Sequence, residues 1–187
     1  MPRSLTMSEA ASVLGRARRL LVIGNSGAGK STLAQKIAAS RGLRYLSHDR
    51  DIRWLPGWQV RDRAEQRART AELVAGEAWI MCGTTVSSFD LRVPRAELVI
   101  WMRPTRGRAL WQLARRVIAY RGSVRPDMAE GCPEKWPDAE FLRWIWTFER
   151  VQAPKIEAGL ALHGPEVPLV TLSGPRAADR LLTLAGL

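Results

Sequence analysis

The sequence has few of the residues that mark secreted or membrane proteins. Only two of its 187 residues are cysteines, which is too few for a disulfide scaffold, and neither has a metal-binding spacing. It has no run of 18 consecutive apolar residues that could span a membrane, and residues 1–19 lack the apolar centre of a signal peptide. We therefore expect a cytoplasmic protein with reduced thiols and no membrane partner.

Lysine is also scarce. Only four of the 29 basic residues are lysines, and the formal net charge is +11. Seven arginines and no acidic residue occur between Arg103 and Arg125. Such a run is compatible with a solvated helix face, a phosphate clamp or a contact with a nucleic-acid backbone, because guanidinium groups pair well with phosphate oxygens.

Residues 24–31 carry the most informative motif, Gly-Asn-Ser-Gly-Ala-Gly-Lys-Ser. It matches G-x-x-x-x-G-K-[ST], the pattern of the phosphate-binding P-loop. An apolar run at 20–23 predicts a buried strand before it, and residues 30–40 predict a helix after it. Strand, glycine loop and helix therefore occur in the order that a P-loop requires.

Each part of this motif has a mechanical task. The loop amides and the helix N-terminus attract phosphate oxygens, Lys30 reaches the β- and γ-phosphates, and the Ser31 hydroxyl binds Mg²⁺. The motif predicts ATP and Mg²⁺ as cofactors. The predicted nucleotide-binding residues are Gly24, Asn25, Ser26, Gly27, Ala28, Gly29, Lys30, Ser31 and Thr32.

Strands and helices alternate along the rest of the chain. Further strands are predicted at 44–47, 79–82, 98–102 and 168–172, and helices at 60–76, 106–120, 138–150 and 176–184. This alternation predicts a single α/β domain over residues 1–187, with a five-stranded parallel sheet and helices on both faces. Ligands of such sheets bind beyond the carboxyl ends of the strands.

Two acids and two tryptophans follow the second predicted strand. Asp49 is the candidate to support the metal and Asp51 the candidate base for an attacking hydroxyl, although both could be surface acids. Trp54 and Trp58 flank a Pro-Gly turn. They could wall a pocket, stack a base or form a local hydrophobic cluster.

Several segments together resemble a known family. Residues 24–31, 54–58, 96–100, 120–135 and 141–146 resemble the P-loop proteins labelled DNA topology modulation proteins, or FlaR-related, which are similar to adenylate kinases. The run 125–134 is the most specific part. The resemblance implies a nucleotide-kinase-like fold, a small substrate-binding segment at about 50–76 and an arginine-bearing lid at about 120–137. By analogy with similar kinases, the arginines expected to stabilise the transferring group are Arg92, Arg116, Arg121 and Arg125.

The sequence departs from that family at two strand ends. The third strand usually ends in Asp-Gly, whereas Cys82 and Gly83 stand here. The fourth usually ends in an acid before Pro-Arg, whereas Met102 and Arg103 stand here. The carboxylate that commonly supports Mg²⁺ is thus missing at both ends. Either Asp49 takes over this role or phosphoryl transfer is weak or lost.

These features predict an ATP-binding P-loop kinase that acts on a small molecule, with a nucleoside or nucleotide as the expected acceptor. The alternative is an ATP-dependent regulatory protein that affects DNA topology and has little or no kinase activity. The basic composition favours the alternative, whereas the P-loop and the lack of a helix-turn-helix pattern favour the kinase. Nucleic acid is therefore a possible but not favoured partner, and the sequence leaves the acceptor and the oligomeric state open.

Overall fold

The computed structural model describes residues 3–187 and has a five-stranded parallel sheet at its centre. The strands are β1 (Arg19–Gly24), β2 (Arg44–Ser47), β5 (Trp79–Cys82), β6 (Leu98–Met102) and β7 (Leu169–Leu172), in the order β2-β5-β1-β6-β7. A short antiparallel hairpin pairs β3 (Trp54–Leu55) with β4 (Gln59–Val60). The predicted α/β fold with a five-stranded parallel sheet is confirmed.

The register of the sheet brings the strand ends together. Gly24 of β1 is opposite Met102 of β6, and Ser47 of β2 is opposite Cys82 of β5. The strands β5 and β6 are continuous apolar runs, as expected where both faces of a parallel sheet are covered. Their carboxyl ends therefore form one edge, from which the P-loop, the turn after β2 and the loop after β5 all emerge.

Helices cover both faces of the sheet, as predicted. On one face Leu20 and Val22 join a core with α1 (Met7–Arg16), α2 (Lys30–Arg41) and α8 (Pro175–Leu184). On the other face Leu21 and Ile23 join a core with residues of α3 (Arg63–Val74), α4 (Phe89–Arg92), α6 (Ala139–Val151) and α7 (Ala153–His163). The helix α5 (Arg106–Tyr120) packs against α6.

The helices differ from the sequence prediction in several places. The helices α1, α4 and α7 were not predicted. The helix predicted to begin at residue 60 begins at Arg63, because the Asp62 carboxylate accepts hydrogen bonds from the amides of Ala64 and Glu65 and caps it. Within residues 3–187, no helix combines the length and the apolar character needed to cross a membrane.

Candidate active site

A cleft of about 1140 Å³ opens at the carboxyl edge of the sheet. The P-loop forms its floor, and residues after β2 and β5 line its centre. The segment 125–128 forms one side, and residues of α5 and the start of α8 form the other. The site therefore lies where parallel α/β sheets bind their ligands.

The P-loop conformation depends on glycine. Gly27 has φ +71°, and a Cβ there would lie 2.2 Å from the backbone oxygen of Ala109. Gly29 precedes the first turn of α2, and no side chain caps that helix. The first amides of α2 therefore lack an internal partner and can donate to an anion in the cleft.

Lys30 lies at the base of this loop. Its Nζ donates a 2.7 Å hydrogen bond to the backbone oxygen of Asn25. Loss of solvent around the ammonium lowers the pKa of Lys30, whereas the negative charges of Asp49 and Asp127 act in the opposite direction. Lys30 thus shares the cleft with two carboxylates.

The residues around Ser31 fit a magnesium ion that arrives with phosphates. Asp49 is exposed in the cleft and forms no ion pair with any residue in 3–187. No cluster of three or more His, Cys, Asp or Glu side chains in that part of the chain could hold a metal alone. Mg²⁺ does not need such a cluster, because it keeps several waters and uses one or two protein oxygens beside substrate phosphates. Ser31 and Asp49 can supply those oxygens.

Two of the predicted arginines meet at Glu134 in the cleft, and one of them contacts the P-loop. Arg116 donates to Ser26 Oγ at 3.4 Å and pairs through Nε with Glu134 at 3.0 Å. Arg125 pairs through Nε with Glu134 at 2.6 Å and through Nη1 with Asp127 at 3.2 Å. Glu134 is buried, so this network is partly shielded from solvent and its charge-assisted bonds are stronger than surface pairs.

Asp127 and Glu134 were not predicted as site residues. Both belong to the run 125–134 that carried the family resemblance, and that run was the available indication. Residue type alone did not distinguish them from surface acids, because their place in the cleft depends on the path of the lid.

Three residues predicted to be catalytic do not line the cleft. Asp51 accepts hydrogen bonds from the Ser47 amide and Arg50 Nε, both at 2.7 Å. Arg121 is exposed beyond the end of α5. Arg92 is fully buried and donates to the backbone oxygens of Gly83 and Thr85, both at 2.9 Å. Burial lowers the pKa of Arg92 to about 10.

The position of Asp51 has a local cause. The prediction assumed an extended turn, in which residues two apart point the same way. The chain instead forms one helical segment at His48–Arg53, where residues two apart do not share a face. Asp49 therefore faces the cleft while Asp51 turns toward Arg50 and the backbone of β2.

The predicted lid is bonded to the predicted substrate segment and to the end of β2. The Gly57 amide donates to the Gly131 oxygen at 3.1 Å, the Trp58 amide donates to Cys132 Sγ at 3.3 Å, and Ser47 Oγ donates to the Asp127 oxygen at 2.8 Å. The hairpin β3–β4 and the segment 126–133 thus form one continuous wall of the cleft.

Comparisons with known proteins place the fold in a class. No protein-family model matches the chain, and no curated protein matches it either. Solved structures do match. A shikimate kinase from Acinetobacter baumannii in complex with shikimate shares 13% identity over 93% of this chain and 94% of its own, with a TM-score of 0.54. A shikimate kinase from Bacteroides thetaiotaomicron shares 15% identity over 91% of this chain and 99% of its own, with a TM-score of 0.53.

A gluconokinase from Sinorhizobium meliloti shares 16% identity over 90% of this chain and 94% of its own, with a TM-score of 0.50. The chain therefore has the fold of small-molecule P-loop kinases. These matches do not show membership in the DNA topology modulation family, which stays a prediction from the residues quoted above.

Proposed function

We propose that this protein is an ATP-dependent kinase that transfers the γ-phosphoryl group to a hydroxyl of a small molecule. One observation carries the proposal. A single cleft contains the uncapped N-terminus of α2, Lys30, the side chains of Arg116 and Arg125 and the carboxylates of Asp49 and Asp127. These are the parts that phosphoryl transfer requires, because the reaction depends mainly on positioning and on stabilising phosphate charge.

The nucleotide would lie along the P-loop. The amides of the loop and Lys30 would bind the β- and γ-phosphates, and Ser31 and Asp49 would supply protein oxygens to Mg²⁺. The ion, when bound, neutralises charge that develops on the phosphate oxygens. The arm of the cleft between α5 and α8, lined by Gln112, Arg115, Pro175 and Ala178, receives the nucleoside part.

Arg116 and Arg125 are placed to stabilise the transferring group. The acceptor oxygen bonds to the γ-phosphorus while the bond from that phosphorus to the bridging oxygen of ADP breaks. The hydroxyl proton passes to a carboxylate. Asp127 is our candidate for this step, because Asp51 lies outside the cleft and Asp49 serves the metal. Arg125 contacts both oxygens of Asp127, but each oxygen keeps a lone pair for the hydroxyl.

A transfer assay tests this function. The protein is incubated with ATP labelled at the γ-phosphate and a protein-free extract of small molecules. We expect label on an organic product with the unmodified chain and none with Lys30→Ala. Asp127→Asn should slow the transfer without changing ATP affinity. Label that appears only in inorganic phosphate, with ATP bound normally, would contradict the kinase function.

The alternative role in DNA topology receives less support from the structure. Arg103 pairs with Glu149 and Glu157, and Arg116 and Arg125 pair with acids of the lid. Three of the seven arginines of 103–125 are thus engaged by acids, which leaves less of this charge for a DNA backbone. The other four, Arg106, Arg108, Arg115 and Arg121, are exposed and form no ion pair within residues 3–187. Duplex DNA binding tighter than about 10⁻⁶ M at physiological salt, without phosphoryl transfer, would favour the alternative.

A further inference from the structure

The side of the cleft opposite the nucleoside arm has an unusual composition. Arg53 Cζ lies 4.7 Å from the ring centroid of Trp54, and Lys135 Nζ lies 5.3 Å from that of Trp58. The two indole rings are 5.1 Å apart and meet edge to face at 76°. All four residues line the cleft, and we call them the cationic wall.

The cationic wall is fixed in place by the lid. Trp58 is the one non-glycine residue in 3–187 with a positive φ, +64°. A bulky residue in this conformation is strained, and it persists where the surroundings over-determine it. Its amide donates to Cys132 Sγ, and its Nε1 donates to the Pro133 oxygen at 3.2 Å. The bonds between hairpin and lid therefore set the orientation of this side chain.

The tryptophans are not free to stack a flat ligand between them. Arg53 and Lys135 each lie over one ring. Met128, Ala129 and Cys132 pack against the rings from the lid. The rings thus hold the two cations by cation–π contact. This side of the cleft is therefore positively charged.

These two cations lack acidic partners. Within residues 3–187 neither Arg53 nor Lys135 forms an ion pair, whereas Glu134 and Asp127 are already engaged by arginines. Asp49, Asp138, Glu140 and Asp179 also line the cleft, but within residues 3–187 none of them pairs with Arg53 or Lys135, and we assign Asp49 to the metal. A ligand with a carboxylate or phosphate would supply the missing charge, and the guanidinium fork of Arg53 fits two such oxygens.

We propose that the phosphoryl acceptor is an anion, whose carboxylate or phosphate binds Arg53 and Lys135 while a separate hydroxyl faces the γ-phosphate. This inference rests on the proposed kinase function. It narrows the expected acceptors to hydroxy acids and nucleoside monophosphates. Uncharged nucleosides and polyols fit the site poorly, since they would leave both cations unpaired.

Matched pairs of compounds test the inference. The full chain is mixed with Mg²⁺ and a non-hydrolysable ATP analogue, and the thermal midpoint is measured with each compound. The pairs are shikimate and its methyl ester, gluconate and glucitol, and deoxyadenosine 5′-monophosphate and deoxyadenosine. We expect at least one anion to raise the midpoint, because binding to the folded state stabilises it, and its neutral counterpart to have no effect. The first two pairs report on carboxylates and the third on phosphate.

Variants then test whether Arg53 and Lys135 bind the anionic group. Arg53→Gln and Lys135→Gln should each lower the affinity for the anion that raised the midpoint, about tenfold or more. Both variants should leave the affinity for the ATP analogue unchanged. Arg143→Gln and Lys155→Gln are matched controls, because both residues are exposed and lie outside the cleft. A neutral counterpart that binds as tightly as its anion would overturn the inference. The inference would also be overturned if the ATP analogue raises the thermal midpoint while no anion in the set binds. If the ATP analogue with Mg²⁺ does not raise the thermal midpoint of the unmodified chain, the result would contradict the kinase function instead.

Discussion

Ser31 Oγ lies 3.6 Å from Cys82 Sγ, where β5 ends beside the P-loop. Burial raises the pKa of the Cys82 thiol, so the sulfur stays protonated at neutral pH. A neutral thiol therefore occupies the place where the family resemblance implies a carboxylate. Under the proposed function the metal would need support from another direction, and Asp49 after β2, which is exposed in the cleft, is our candidate for this task.

Replacing Cys82 by aspartate should restore that support. In Cys82→Asp we expect half-maximal ATP binding at a lower Mg²⁺ concentration, because the new carboxylate adds an oxygen ligand beside Ser31. Cys82→Ser is the control, since it keeps size and polarity without the charge. The measurement is ATP affinity titrated against Mg²⁺. The same Mg²⁺ dependence in all three proteins would show that this strand end does not face the metal.

The arginines predicted to be catalytic should differ sharply in their effect on turnover. Arg116→Ala and Arg125→Ala should each lower kcat by about 10- to 1000-fold, as expected for loss of one donor to the transferring group. Arg121→Ala should retain nearly full activity, because Arg121, directly after α5, is exposed and lies outside the cleft. Steady-state kinetics with the identified acceptor provide the test. A large loss for Arg121→Ala and none for the other two would contradict the arrangement.

The fold was largely predictable because its sheet is made of short apolar runs next to glycine and polar loops. One motif with its flanking residues predicted a strand, a loop and a helix together: the apolar run 20–23, the P-loop and residues 30–40. The helices α1, α4 and α7 were missed. In α7 the pattern is apolar on most sides, with Ala153, Ile156 and Leu160 buried, and it offers little of the 3.6-residue contrast on which such predictions depend.

The site was predictable only where a motif determines geometry. Eight of the nine predicted P-loop residues line the cleft, because their places depend on neighbours in sequence, and their role in nucleotide binding stays a prediction. The ninth, Asn25, is buried, and its side-chain amide donates to the Ile145 oxygen. The roles of Arg92 and Asp127 depend on contacts across the chain. Arg92 is enclosed by the loop after β5, and Asp127 reaches the cleft because Ser47 holds its backbone. Neither contact is encoded in a local pattern.

His48 should make the stability of the protein sensitive to mild acid. Its ring is buried and contacts Thr85 Oγ1 at 3.3 Å, and burial together with the charges of Arg92 and Arg53 lowers its pKa from 6.5 to about 3. The unfolded chain therefore binds a proton that the folded chain does not. His48 contributes stability above pH 6.5, and this is lost progressively as pH falls toward 3, at about 1.4 kcal/mol per pH unit.

Urea unfolding at pH 7 and pH 5 measures this effect. The free energy of unfolding should fall between pH 7 and pH 5 in the unmodified chain. In His48→Gln this fall should be smaller by about 2 kcal/mol. An equal loss in both proteins would mean that His48 titrates normally in the folded state.

Gly83 should tolerate no side chain. It has φ +143°, and a Cβ there would lie 2.4 Å from the Cβ of His48. Gly83→Ala should therefore lower the free energy of unfolding by at least about 1–3 kcal/mol. Gly15 in α1 is the control, because nothing lies within 4 Å of its Cβ position, and Gly15→Ala should stabilise by about 0.5–1 kcal/mol. Denaturant melts of the two variants should move in opposite directions. A neutral Gly83→Ala would show that β5 and the segment after β2 are not packed so closely.

The most direct test of the nucleotide site is the affinity of Lys30→Ala for ATP with Mg²⁺, measured by titration calorimetry. The Asn25 oxygen that accepts from Lys30 also accepts from the Ala28 amide, so the variant should unfold at nearly the same denaturant concentration. We predict that it binds ATP about 10- to 100-fold more weakly, since it loses charge-assisted hydrogen bonds to the phosphates. Lys155→Ala should bind as the unmodified chain does. An ATP affinity in Lys30→Ala equal to that of the unmodified chain would contradict the account.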